Sequence, residues 1–292
     1  MDRFVFLTFD GLSKGAVLAA FALALVLIWR AARIVNFAQG AMAVAAAYAA
    51  YSVTAATGSY WLGLLAALAG GLLLGALVER AVMRFVDHRS PLAEVIVALG
   101  LVLVVQAGLG MVYGNEFRAV ATPFSRTALE VGGIPLLSRH DLFVFGAVLL
   151  VLLGLALLFT RTAIGLRMRA AAFAPEVSRL LGVDVGGMLT LGWALASAVG
   201  ALAAMLVLPT ELGLHPHAMD LVFVSAFTAA VVGGLDSPPG AVVGGLSVGL
   251  ILSYVSGYLG SDVTPMAVLA LLLVVLLVRP GGLFAATAAR QA

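Results

Sequence analysis

Apolar stretches of membrane-crossing length follow one another along almost the whole of this sequence, separated by short polar connections. A bilayer core about 30 Å thick is crossed by roughly 20 apolar residues at about 1.5 Å rise each. On that measure spans are predicted near Leu12–Trp29, Ala38–Ala56, Trp61–Val82, Ala93–Tyr113, Leu142–Thr160, Met188–Leu208, Leu221–Leu235, Ala241–Gly257 and Pro265–Val278. The seventh is short and the second begins with polar residues, so each reads either as a span or as a re-entrant segment; the expected count is eight to nine. Of the 292 residues, 63% are apolar and 10% charged, too little charge to clothe a water-soluble domain of this size but enough where lipid covers the exterior. The expected fold class is an all-α polytopic membrane protein, one transmembrane domain over residues 1–292. The start, Met1-Asp2-Arg3, lacks a basic leader with a small-residue cleavage site, so the first apolar stretch is read as a retained helix.

Arginine placement orients the spans. Nine alternating crossings put Arg30, Arg33, Arg80, Arg84, Arg89, Arg161, Arg167, Arg169, Arg179, Arg279 and Arg290 on one side. The other side holds Arg3, Arg118, Arg126 and Arg139, with the single lysine, Lys14, near it. The richer side is expected to face the cytoplasm, which places the N-terminus outside and the C-terminus inside. Two connections exceed turn length. Gly114–Asp141 reads as an outer loop with Gly132, Gly133 and Pro135 as breakers. Arg161–Gly187 lies inside and carries a helical pattern: Pro175 suits a first helical position, Glu176 the positive end of the helix dipole, Arg179 the last turn and Gly182 a stop. A short helix is predicted over about Pro175–Leu181.

What the chain lacks narrows its chemistry. No cysteine is present, which excludes disulfides, thiolate catalysis and cysteine-based metal sites. No GxxxxGK[ST] loop is present, so this chain does not bind ATP in the P-loop manner. Of the fourteen acids only Glu94 is expected near a span interior, in its first turn; ion-coupled carriers bury such groups more deeply. Glu211 and Asp220 are expected in an outer loop with His215 and His217, a set that reads as a polar loop or, at a stretch, as a metal site; His88 and His140 are also expected in loops. The expected metal count is none.

Few polar residues enter the apolar region. In Asn36-Phe37-Ala38-Gln39-Gly40, Asn36 either caps the second helix or lines a pathway together with its neighbours. Gln106 reads as an interhelical hydrogen bond or a pathway group. Val231-Val232-Gly233-Gly234-Leu235 recurs as Val242-Val243-Gly244-Gly245-Leu246 around Asp236-Ser237-Pro238-Pro239-Gly240. The two prolines forbid a continuous helix, leaving a tight hairpin or a break that lends half-helix ends to a pathway. Glycines spaced by four (Gly11/Gly15, Gly71/Gly75, Gly110/Gly114, Gly240/Gly244, Gly245/Gly249) are expected to mark close helix crossings.

The stretch Gly11–Gly40, Glu79-Arg80, Gly165-Leu166-Arg167-Met168-Arg169-Ala170-Ala171 with Arg179-Leu180-Leu181-Gly182-Val183, Val231–Gly249 and Arg279-Pro280-Gly281-Gly282-Leu283-Phe284 together resemble, in order, the permeases of branched-chain amino-acid ABC importers, of the high-affinity LivH type. The resemblance implies a passive permease subunit working with a second related permease, two cytoplasmic ATPase subunits that bind the ATP, and a periplasmic binding protein, in a bacterial inner membrane. It makes residues 161–187 the coupling loop, with Arg169, Pro175, Glu176, Arg179 and Gly182 toward the ATPase. Gln39 stands where histidine is common in the family, and Pro238-Pro239 adds a proline. Urea or short-amide permeases of the same family, and a channel or carrier acting alone, are the alternatives; a membrane enzyme lacks a catalytic constellation.

Overall fold

The computed structural model describes residues 2–86, 90–131, 134–209, 213–279 and 281–284. Eleven helices occur among them: α1 Asp2–Ala32, α2 Gln39–Thr57, α3 Tyr60–Ala81, α4 Pro91–Tyr113, α5 Arg139–Arg161, α6 Ala163–Phe173, α7 Pro175–Leu180, α8 Val185–Val207, α9 Asp220–Gly233, α10 Pro238–Leu259 and α11 Thr264–Val278. Seven segments among the described residues are long and apolar enough to cross a membrane, at α1, α3, α4, α5, α8, α10 and α11. The other two expected stretches are α2, whose 19 alanine-rich residues are of crossing length, and α9, with only 14. Each predicted span matches a helix to within a few residues except the first, which starts ten residues early at Asp2.

α1 is apolar on all sides and is buried from Ala16 to Ile28, so it forms the centre of the molecule. Its main partner is α10, which runs antiparallel to it. Gly245 faces the backbone of Ala19, and Gly249 faces Gly15 and Gly11. A β-carbon built at Gly245 or Gly249 overlaps those backbone atoms, so the two helices touch main chain to main chain. Hydrophobic burial gives little drive between helices already in lipid; close packing of this kind replaces it. Gly71 and Gly75 bring α3 against Ser197 and Trp193 of α8 in the same way, and Gly244 lies on Ala229 of α9. The expected Gly110/Gly114 pair is not a crossing: Gly110 faces the Asn115 side chain, and Gly114, at φ 79°, ends α4.

The early start of α1 is held by polar contacts that linear hydropathy does not register. Ser253 Oγ of α10 lies 2.7 Å from Asp10 Oδ2, Lys14 pairs with Asp10 at 3.3 Å, and Ser13 donates to Asp141 at 2.6 Å. Asp10 therefore sits within a helix. Asp141 in turn completes a capping box with Ser138 at the start of α5. His140, expected in a loop, is buried in that first turn, with Nε2 3.2 Å from the Leu206 carbonyl. The connection expected to be a plain loop carries an antiparallel hairpin, β1 Ala128–Val131 with β2 Ile134–Ser138. Gly132 and Gly133 lie outside the described residues.

Where α1 ends, Arg33 adopts φ 60° and is fixed by an ion pair to Asp236 at 2.5 Å, with Trp29 Nε1 donating to the same oxygen at 3.2 Å. Asp236 belongs to the turn between α9 and α10. The prolines thus mark a tight hairpin: α9 stops at Gly233, Ser237 caps α10 by accepting from Gly240, and Pro238 and Pro239 occupy its first turn. The segment after α11 returns to close this end, Leu283 donating to Val232 at 2.8 Å and Phe284 to Gly233 at 3.2 Å, which occupies carbonyls that α9 leaves open.

The α1–α10 contact carries a direct prediction. Gly245→Leu forces backbone apart and is expected to cost at least about 1–3 kcal/mol. Gly100→Leu, at a position with nothing within 4 Å, is expected to be silent. Thermal melting of the detergent-solubilised chain should separate the two variants.

Candidate functional site

Two regions draw the candidate residues together. The first lies at half depth. Gln39, the first residue of α2, is fully buried and donates from Nε2 to the Ala196 carbonyl at 2.9 Å. Ala196 is eleven residues into α8, about 16 Å from its start. After α1 the chain therefore turns back into the helical layer before α2 begins. Backbone groups at that depth need partners, and Asn36 supplies them: Oδ1 accepts from Ala38 N at 3.0 Å, and Nδ2 donates to Gln39 Oε1 at 3.0 Å. Asn36 thus closes the loop ahead of α2, while the N-cap position itself is Ala38, without a side-chain bond.

α9 starts at similar depth and runs the other way. Asp220 is its first residue, not part of a loop, and Gln106 Nε2 donates to Asp220 Oδ1 at 2.8 Å. Gln106 lies seven residues, about 10 Å, before the end of α4. Asp220 sits where the α9 dipole favours a negative charge. His217 Nδ1 is 3.1 Å from its other oxygen. Burial and the neighbouring His217 pull the His215 imidazole below its usual pKa, against the weaker pull of Asp220. His215 lies against the Phe117 ring.

Between the two half-depth helix starts, Phe37 packs on Phe223 and Phe227 at 6.1 and 6.2 Å, and a β-carbon at Gly40 would lie 3.3 Å from Phe223 Cβ. Asn36, Phe37, Gln39 and Gly40 thus gather at one junction with α9; Gln106 joins it through Asp220. Gly233, Gly234, Pro238, Pro239, Gly244 and Gly245 lie at the α9–α10 hairpin and the crossings beneath it. Among the described residues no group of three or more His, Asp or Glu is placed to hold a metal, and Glu211 lies outside them.

The second region is the end where α1 and α3 finish. The predicted inner helix is α7, Pro175–Leu180, with Pro175 in its first turn, Glu176 beside it, Arg179 in the last turn and Gly182 at φ 80° just beyond. That left-handed conformation costs glycine least. The reading of the sequence did not resolve α6, a second helix that carries Arg167 and Arg169 and is capped by Thr162. Ser178 is buried, whereas Leu180 and Leu181 are 88% and 78% exposed. Behind α7, Arg84 bonds Glu79 at 3.0 and 3.2 Å, and Thr190 donates to Glu79 at 2.5 Å, tying the end of α3 to the start of α8. Glu79 is a buried acid that hydropathy alone did not single out; its only signal was the Glu79-Arg80 motif.

The family described as "Branched-chain amino acid transport system / permease component" matches residues 7–278. The chain belongs to this family. It is 28% identical over 287 residues to the high-affinity branched-chain amino acid transport system permease protein BraD of Pseudomonas aeruginosa, covering 94% of this chain and 93% of that protein. It is likewise 28% identical over 291 residues to LivH of Escherichia coli K12, with the same coverage. Among solved structures, a metal-chelate type ABC transporter in an inward-facing conformation superposes with a TM-score of 0.53 at 16% identity, covering 93% of this chain and 85% of that one. The fold is thus that of ABC-transporter permeases, and the chain is a multi-pass membrane transport component.

Gln106→Leu tests the junction. It removes a hydrogen bond to a charged group, worth about 1.5–3 kcal/mol, and should speed amide exchange in the first turn of α9 by at least about tenfold. Hydrogen–deuterium exchange read by mass spectrometry checks this, with the last turn of α9 expected to stay unchanged.

Proposed function

We propose that this chain is the permease subunit of an ATP-driven importer of branched-chain amino acids. It works with a second related permease, two ATPase subunits that bind the ATP, and a periplasmic binding protein. The observation that carries the reading is α7. This short helix and its cap residue expose Val177, Leu180 and Leu181 beside Glu176 and Arg179, on the arginine-rich end of the bundle. An exposed apolar knob flanked by charges fits a protein groove better than water or lipid. The family supports an ATPase subunit as the groove's owner, and Arg169, Pro175, Glu176, Arg179 and Gly182 are proposed as the coupling residues.

The solute pathway is proposed to run beside α4, α9 and α11. α4 and α11 are almost uncovered along their lengths. Beside α4, where Gln106 bonds Asp220, Asp220 and His217 keep about half of their side chains exposed, at 51% and 59%. A carboxylate facing hydrocarbon at that depth costs several kcal/mol, so this face suits a watery passage shared with the second permease. The two half-depth helix starts border it. Nucleotide-driven movement of the coupling helices shifts the balance between outward- and inward-facing states, as only a contact that differs between states can do. By the positive-inside rule the end carrying α6 and α7 faces the cytoplasm, and the N-terminus lies outside.

Two measurements test this. Glu176→Ala with Arg179→Ala is expected to leave ATP hydrolysis by the assembled transporter standing while uptake into vesicles falls at least about tenfold, the equivalent of 1.4 kcal/mol of lost coupling; unchanged uptake sinks the coupling role. A cysteine placed at exposed Leu181 should react with an impermeant maleimide only after the membrane is opened, and labelling of intact cells would reverse the topology.

A further inference from the structure

The arginine-rich end holds a cavity of whose lining the transport reading uses only Arg169. It measures about 340 Å³ and lies between the last turn of α1, the last turn of α5 and the second half of α6. Arg30, Arg33 and Arg169 line it, and its floor is apolar, with Leu27, Phe159 and Met168. Arg33 is paired with Asp236. Neither Arg30 nor Arg169 makes an ion pair or a side-chain hydrogen bond with a described residue; Asp236, bonded to Arg33, attracts Arg30 only from a distance, so one carboxylate faces three cations around one small space. Placing like charges together is unfavourable unless an anion joins them.

The surroundings narrow the kind of anion. α6 buries Gly165, Met168 and Ala171 and turns Ile164, Leu166 and Phe173 outward together with Arg167 and Arg169. Phe173, at the cavity's rim, is 92% exposed. At the level where the spanning helices end, exposed arginines among exposed apolar side chains can hold their guanidinium groups at headgroup phosphates while their stems and neighbours lie against hydrocarbon. α5, which forms one wall, is itself almost uncovered along its length. A ligand entering here meets guanidinium groups at the mouth and hydrocarbon surface behind them, the pattern of a phospholipid with its phosphate outward and acyl chains along α5. Basic pockets between spanning helices favour anionic headgroups in this way.

We propose that this cavity binds the phosphate headgroup of an anionic phospholipid of the adjoining leaflet, through Arg30 and Arg169. The bound lipid bridges the end of α1 and α6, which leads directly into α7. The inference requires only that this end of the bundle lies at a bilayer surface and does not depend on which solute is carried.

The test is native mass spectrometry of the full chain in mild detergent, titrated with phosphatidylglycerol and, separately, phosphatidylcholine. Wild type should retain phosphatidylglycerol in preference to phosphatidylcholine. At about 1 kcal/mol for each arginine near a charged headgroup, Arg169→Gln should weaken phosphatidylglycerol binding about fivefold, and Arg30→Gln with Arg169→Gln about twenty-fivefold. Arg126→Gln, at the opposite end, should change nothing. Arg169 is exposed and outside the core, so its replacement leaves folding intact and keeps the single variant decisive. Equal retention of both lipids, or unchanged binding by Arg169→Gln, overturns the proposal. Full displacement of phosphatidylglycerol by excess inorganic phosphate or ATP also overturns it, assigning the pocket to a free anion. Loss of lipid only when ATPase subunits bind would assign it to an acidic partner residue, with the same result.

Discussion

The contact between α1 and α10 is main chain against main chain, and the rest of the bundle is arranged around it. In a bilayer, side chains gain little by leaving lipid for one another, so helices associate where surfaces fit most closely. Gly11 and Gly15 against Gly245 and Gly249 give α1 and α10 such a fit over the middle of the membrane. α8 and α9 then cover the remaining faces of α1, and α3 joins through its own glycine contact with α8. The polar bonds at the two ends, Asp10 with Ser253 and Arg33 with Asp236, hold helices whose spacing those glycines set.

Interrupted helices at membrane depth place the opposite demand on the chain, because every exposed N–H and C=O there must find a partner. Both interruptions are met with very few polar groups. Asn36 and Gln39 satisfy each other, one backbone N–H and the Ala196 carbonyl. Asp220 occupies the start of α9 and is held by Gln106 and His217. An economy of this sort leaves a junction lined mainly by phenylalanine rings, a surface over which an apolar solute meets no deep trap.

Much of this was legible in the sequence. Span positions follow from hydropathy because the bilayer fixes helix length, and the short helix expected over about Pro175–Leu181, observed over Pro175–Leu180, follows from capping chemistry that acts within one turn. The hairpin at Pro238-Pro239 follows from proline's missing N–H. Other features depend on distant partners. Arg3 and Asp10 argue against an early start for α1 until Gly257 and Ser253 of α10 are seen beside them. Glu79 looks like an ordinary helix-end charge until Arg84 and Thr190 close over it. α6 escaped notice because its arginines and alanines give no apolar stripe, and the β-hairpin because its strands are only four and five residues long. At the candidate site, the types Asn36, Gln39 and Gln106 stood out, but the depth at which α2 and α9 begin is a property of packing and not of local pattern.

The glycine-locked pair has a mechanical consequence. With their backbones in direct touch, α1 and α10 cannot slide or tilt against one another without collision, so they form a stator. α4 and α11 are clad in side chains and bound to the body over little of their surface. α5 is as little covered as α4; rocking that opens and shuts a passage is cheapest in these three helices, which have the least protein around them.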